Sequence, residues 1–269
     1  MLFALSYDPV DVLRAFAEHH GLTYTLLSDV GSHTIKRLGL LNQYVVEQHT
    51  YYGVELKPHH QNVPYPGYFV LDEAGTVVRK RFEQSYRVRV SAEALLRDVL
   101  PLPLGEGRGE GAVATMTPPS PAATRRLLPQ GEVLEARAWF APPAYRPYQE
   151  ILLNVELSIP PGLHVYGSPV PEGYTLLAID VDPVPGLVVG AAELPNPRPF
   201  RIEGLEEQFF IYEGHLVAVV PLRIEQAPAP GPLDLTVRVH YAACSDTACL
   251  PPSSLELSIL LPADDLVRA

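Results

Sequence analysis

The chain has 269 residues, 47% of them hydrophobic, and a formal net charge of -11. That is enough for two domains with real cores, and the acidic balance argues against a nucleic-acid binder, which needs clustered Lys and Arg to displace counterions from phosphates. The longest apolar runs, such as LVAVVPLRI at 216–224, are strand-sized and fall short of the ~18–20 residues that span a bilayer. The opening MLFALSYD carries neither the basic start nor the cleavage site of a secretory signal. Two cysteines rule out a disulfide-dense scaffold.

In chain order, LFALSY has strand character. Asp8 is expected to cap a helix with Pro9 at its first position, where a missing N–H costs nothing. Val12, Leu13, Phe16 and Ala17 share one face at helical spacing, and Gly21 ends the helix. YTLLSD reads as a second strand and SHTIKRLG as a short helix closed by Gly39. A loop rich in His and Tyr (42–63) follows. YFVLD and TVVRKRF, separated by EAG, read as a hairpin, and Ser91 caps a last helix, AEALLRDVL. The order is β-α-β-α-β-β-α, an α/β domain over 1–100.

Prolines are sparse in residues 1–100, which hold four, and dense beyond them: six in 101–130 and nineteen in 131–269. Residues 101–130 also hold four glycines and no aromatic residue, so this stretch is expected to be a linker. Its GEGRGEG run lacks the strand-to-helix context of a phosphate-binding loop. Beyond it, EILLNVELSI, TLLAIDV, LVAVVPLRI, LDLTVRVHYA and SLELSILL alternate as strands between Gly and Pro clusters. In LDLTVRVHY, Leu233, Leu235, Val237, Val239 and Tyr241 share one face; Thr236, Arg238 and His240 share the other. One-sided burial of this kind predicts an antiparallel β-sandwich over 131–269.

HYAACSDTACLPP (240–252) holds both cysteines, Cys244 and Cys249. Pro251 and Pro252 keep the segment out of a helix, so the pair flanks a tight turn whose Cα atoms can approach the ~4.4–6.8 Å that a disulfide requires. As a staple such a bond contributes little, about 2 kcal/mol for so short a loop, which favours a bond that opens and closes. Two other readings stay open: an inert reduced pair, and half of a metal site with His240, although no second ligand pair of zinc spacing is present. No metal and no cofactor is expected. Asp246, between the cysteines, would oppose a thiolate and raise its pKa.

VHYAACSDTACLPPSSLELSI resembles the cysteine hairpin of the amino-terminal domain of the DsbD thiol–disulfide interchange family, with its C-x-D-x-x-C-x-P-P turn. GLHVYGSPVPEGYTLLAIDV, LPNPRPFRIEGLEEQFFIYEG and VAVVPLRI follow that family's order, so the resemblance covers about residues 131–262. It implies an immunoglobulin-like sandwich in an extracytoplasmic compartment, whose cysteine pair accepts electrons from a membrane partner and passes them to thiol–disulfide partner proteins. Cys244 and Cys249 are then the redox pair. His164 and Tyr166 match two strand aromatics near it, with His in place of an aromatic at the first, and Phe209 or Phe210 matches the cap that shields the disulfide.

The other half, FALSYDPVDVLRAFAEHHGLTYTLLSDVGSHTIKRLGLLN with VPYPGYFVLDEAGTVVRKRF, is similar to the peroxiredoxin-like AhpC/TSA family of the thioredoxin fold, over about residues 2–98. The resemblance places Pro66 where that family has its cis-proline. The chain departs from the family in lacking its first strand and cysteine-bearing helix, and residues 1–130 contain no cysteine. Met1 is therefore expected to be an internal start of a longer protein, with a gap left between FALSY and YFVLD. The expected whole is an incomplete thioredoxin-like α/β domain followed by the sandwich: a soluble, oxidoreductase-like relay. The alternatives are a non-catalytic docking module for a redox partner and a fragment of a peroxiredoxin-like antioxidant enzyme.

Overall fold

The computed structural model describes residues 1–99, 121–129, 131–201, 207–225 and 231–264. The chain divides into two compact units, Met1–Arg89 and Val90–Ala269.

In the first unit the order is β1 (Phe3–Ser6), α1 (Val10–His20), β2 (Thr25–Ser28), α2 (His33–Arg37), α3 (Val45–Tyr52), a 3-10 turn (Pro58–Asn62), β3 (Gly67–Leu71) and β4 (Val77–Phe82). Pro9, not Asp8, is the N-cap of α1; the Asp8 carboxylate instead accepts the Ser6 hydroxyl at 2.5 Å. Gly21, at φ 61°, closes the helix in the left-handed conformation that costs glycine no Cβ clash. The Asp29 carboxylate caps α2, accepting the N–H groups of Thr34 at 3.0 Å and Ile35 at 2.8 Å. Burial pushes its pKa up, but those hydrogen bonds outweigh burial and the net direction is down. The 42–63 stretch, expected as a loop, holds α3 and the 3-10 turn. His49 and Tyr52 hide the helical period from a hydrophobicity reading, yet His49 is buried.

β1 and β2 are parallel, with Phe3 opposite Thr25, and β3 and β4 form the antiparallel hairpin, with Gly67 opposite Phe82. The two pairs remain separate sheets among the described residues. A two-stranded sheet covers little, and the α1 face expected at Val12, Leu13, Phe16 and Ala17 buries Leu13 but leaves Val12 and Phe16 exposed, along with Phe3 and Leu5 of β1.

After β5 (Arg89–Val90), the second unit opens with α4 (Ala92–Val99). Its N-terminus is capped by the Ser91 hydroxyl, which accepts the Ala94 N–H at 3.1 Å. Then come β6 (Ala122–Leu127), β7 (Val133–Ala141), β8 (Gln149–Ser158), β9 (Val165–Tyr166), β10 (Ala178–Val181), β11 (Leu187–Val189), β12 (Arg198–Phe200), β13 (Phe209–Tyr212), β14 (His215–Ile224), β15 (Leu233–Tyr241) and β16 (Ser253–Leu261). One sheet runs β11-β14-β8-β7-β6 and another β10-β15-β16. Alternate residues of both point into one core: Leu134, Ala136, Ala138 and Phe140 of β7, Ile151 to Leu157 at every second position of β8, and Leu233 to Tyr241 at every second position of β15. Each fully buried Val, Leu or Ile stabilises the fold by roughly 1.5–3 kcal/mol, so this core is what holds the second unit together.

The stretch expected as linker is corrected at its end. Residues 122–127 are strand β6, with Ala122 opposite Ala138 and Leu127 opposite Val133. Pairing with β7 supplies what composition does not: Arg125 reaches Glu135 at 2.9 Å, and Leu128 is buried. Residues 101–120 and 130 of that expectation lie outside the described residues. A third, small sheet, β12-β13-β9, carries the aromatic side chains discussed next.

Candidate functional site

β15 ends at Tyr241, and the chain turns back toward β16 through Cys244 and Cys249. The turn between them is closed by the Ser245 N–H donating to the Ala248 carbonyl at 2.8 Å, and outside them the Leu250 N–H donates to the Ala243 carbonyl at 2.8 Å. Cys244 and Cys249 are therefore opposed as a non-hydrogen-bonded antiparallel pair, the arrangement that brings Cα atoms closest, near 4.5 Å. Here they are 4.0 Å apart and the two sulfurs are bonded. The Ser245 hydroxyl organises the turn, accepting the N–H groups of Thr247 at 3.3 Å and Ala248 at 3.2 Å. The two partners differ in exposure: Cys244 is fully buried, whereas Cys249 is exposed.

β9 fixes the inner wall. His164 and Cys244 exchange both backbone hydrogen bonds, at 2.8 and 2.9 Å, so they are a directly opposed pair whose side chains share a face. Two residues on, Tyr166 lies on the same face, with its Oη 3.8 Å from Cys249 Sγ. Burial, then the neighbouring Tyr174, push the Tyr166 phenol up in pKa, so it keeps its proton at neutral pH. β13 pairs with β9, Ile211 opposite Tyr166, and turns Phe209 and Ile211 toward Cys244, Tyr166 and Ala242 in one apolar cluster.

The rings interlock. Tyr166 and Phe209 have centroids 5.5 Å apart, Tyr174 and Phe209 4.9 Å, Tyr166 and Tyr174 5.1 Å, and His164 and Phe200 4.8 Å. Gly167 lets the strands approach: a Cβ there would meet Pro197 at 2.7 Å and Tyr212 at 2.8 Å. His164 is buried, and its Nε2 has no hydrogen-bond partner among the described residues. Burial pushes its pKa down and Arg198 adds to that, against the opposite pull of the Glu213 and Asp246 carboxylates.

Of the residues singled out in the sequence, Cys244, Cys249, His164, Tyr166 and Phe209 come together. Phe210 does not: strand alternation turns it to the other face of β13, opposite Pro199 and away from the cluster. Asp246 stands exposed in the turn. His240, considered as a metal ligand, points outward from β15 and meets Asp180 at 3.2 Å. Pro66 lies in the first unit. The cis peptide bonds among the described residues precede Pro142 and Pro169, so the bond before Pro66 is trans, and the cis-proline expectation is corrected. Tyr174 and Phe200 belong to the aromatic wall without having been marked in the sequence. Phe200 arrives through the β12-β13-β9 pairing, and Tyr174 from the turn after β9, where its N–H donates to the Pro171 carbonyl at 3.3 Å; no local pattern announces either.

Residues 130–260 match the family "Thiol:disulfide interchange protein DsbD, N-terminal", and residues 1–80 match the AhpC/TSA family. No curated protein matches the chain. Among solved structures, the N-terminal periplasmic domain of ScsB from Proteus mirabilis aligns at 18% identity and a TM-score of 0.36, over 52% of this chain and 51% of that one. The N-terminal domain of Neisseria meningitidis DsbD, in its reduced form, aligns at 17% identity and a TM-score of 0.29, over 42% of this chain and 82% of that one. This chain thus spans about half the length of the ScsB domain. No described helix is long and apolar enough to cross a membrane. The chain therefore joins an amino-terminal stretch similar to the AhpC/TSA family to a larger stretch similar to the N-terminal domain of DsbD, and the latter stretch carries both cysteines.

Proposed function

We propose that the chain is a thiol–disulfide interchange relay working through Cys244 and Cys249, carried on an immunoglobulin-like sandwich. The observation that carries this reading is the asymmetry of the disulfide: one partner buried among aromatic rings, the other exposed at a hairpin tip. The match of residues 130–260 to the DsbD family supports it.

A partner thiolate attacks Cys249 Sγ. A bond forms between the two sulfurs, the Cys244–Cys249 bond breaks, and its electron pair leaves on Cys244 Sγ. The partner's second thiolate then attacks its own sulfur in the mixed disulfide, releasing Cys249; the partner is oxidised and this chain holds two thiols. Reversal toward an acceptor disulfide passes the electrons on. Phe209, Tyr166 and Tyr174 screen the inner side, so access runs through Cys249. A membrane electron donor and thiol–disulfide partner proteins are the proposed neighbours, in a compartment oxidising enough for the pair to form. Residues 1–130 contain no cysteine, so they contribute no cysteine chemistry to this cycle.

Single substitutions test the asymmetry. Cys244→Ser leaves an exposed thiol without its resolving neighbour and should accumulate mixed disulfides with partner proteins. Cys249→Ser leaves a buried thiol and should accumulate far fewer. Equal trapping by both variants would contradict the assignment of Cys249 as the attacked sulfur, and full function of the double variant in cells would make the chain a docking module instead.

A further inference from the structure

When the disulfide opens at Cys249, the electron pair lands on Cys244, a residue with no exposed surface. A thiolate deprived of water and walled by rings is costly unless something compensates its charge. Among its neighbours Tyr166, Phe209, Ile211 and Ala242, the Tyr166 hydroxyl points to Cys249, and the Ala242 carbonyl, 3.9 Å from Cys244 Sγ, is an acceptor that gives a thiolate no compensation.

The directly opposed residue is His164. Both backbone hydrogen bonds are exchanged with Cys244, which sets the two side chains on one face with Cβ atoms about 4.5–5.5 Å apart. The ring is buried, tilted against Phe200 at 4.8 Å and edge-on to Tyr166 at 5.4 Å, and its Nε2 is unpartnered among the described residues. A buried, unsatisfied imidazole nitrogen costs stability in the oxidised state, and it is an acceptor or donor held in reserve.

We propose that His164 is a positioning residue that takes up a proton when the disulfide opens and holds it as the counter-cation of the Cys244 thiolate. This inference rests on the relay reading. The balance closes: the incoming thiolate supplies the electron pair, the sulfur–sulfur bond breaks, Cys244 Sγ gains the negative charge, and solvent supplies the proton to the imidazole. On reoxidation the proton returns to solvent.

The charged and titratable groups facing the ring agree with a cation there only in the reduced state. On its own strand stands Tyr166, protonated at neutral pH. From β12 comes Arg198, whose positive charge opposes the imidazolium but which is tied to Glu213 at 2.5 Å. Glu213, after β13, and Asp246, in the cysteine turn, both favour it. Burial overrides these while the sulfurs are bonded, so the ring is neutral. A thiolate opposite it adds the attraction that the disulfide cannot. An opposite charge within about 4–6 Å moves a pKa by roughly 1–3, and the directly opposed backbone positions put the two side chains on one face.

The test uses the full chain, reduced with dithiothreitol and then freed of it without air. Ultraviolet thiolate absorbance against pH should show one thiolate appearing below the usual thiol midpoint of about 8.5. In His164→Tyr and His164→Phe, which keep a ring in the wall, that thiolate should appear at least about one pH unit higher. Ring-nitrogen NMR of the unsubstituted chain gives a readout that needs no variant: His164 neutral when oxidised and imidazolium when reduced, at a pH of about 7. An imidazole neutral in both states overturns the proposal, as do coincident thiolate titrations of folded variants and parent. Neither readout involves a partner protein, so a chain that fails here yet exchanges disulfides defeats this inference alone.

Discussion

Cys244 and Phe209 are both fully buried and belong to one cluster, so a cavity opened at one is a path to the other. Phe209→Ala is expected to lose about 3–5 kcal/mol of stability and to speed reduction of the disulfide by a small thiol, since the ring no longer blocks approach from inside. Phe210→Ala, on the opposite face, should leave that rate unchanged. Reduction rates followed by alkylation of both cysteines check the pair, and equal rates in the two variants would remove Phe209 from the shield. The sequence named both phenylalanines and could not choose between them. The choice depends on which face of the β12-β13-β9 sheet lies against the cysteines, and the pairing of Ile211 with Tyr166, forty-five positions apart in the numbering, puts Phe209 and Ile211 on it.

At the scale of elements, one hydroxyl adds to the backbone hydrogen bonds and the disulfide that hold the cysteine hairpin. Ser245 accepts two N–H groups of its turn, and Ser245→Ala should cost about 0.5–1.5 kcal/mol while making the reduced hairpin looser. Amide hydrogen exchange of Thr247 and Ala248 in oxidised and reduced protein measures this; unchanged protection would show that the backbone hydrogen bonds and the disulfide hold the turn without the hydroxyl. Long strands were legible because period two is a local property: β15 buries Leu233, Leu235, Val237, Val239 and Tyr241 and turns Arg238 and His240 outward, as its spacing says. β7 escaped notice because its inward positions include Ala136 and Ala138, too small to mark a core. The two- to four-residue strands β9, β12 and β13 carry too few positions for any period, and α3 carries His and Tyr where a helix face usually shows aliphatics. The cysteine turn was legible because prolines follow it; its aromatic wall was legible only in part, because Phe200 reaches it through non-local strand pairing and Tyr174 from a turn after β9.

For the molecule as a whole, the two units differ in how much they bury. The second has one continuous core drawn from five long strands, whereas the first leaves Phe16 of α1 exposed, with Phe3, Leu5, Leu27 and Val78 exposed on two separate strand pairs. Residues 90–269 are expected to unfold as one cooperative transition, and residues 1–89 alone to show weak amide protection in β3. A sharp thermal transition for 1–89 would show that its small sheets suffice. The central claim is that the Cys244–Cys249 bond cycles in the folded protein. Equilibrating the full chain with glutathione mixtures and quenching by alkylation measures this directly, with far-ultraviolet circular dichroism recorded alongside. The account predicts reversible gain of two hydrogens and two alkylation sites with the β-sheet signal unchanged; a disulfide reduced only once the sheet signal is lost would contradict it.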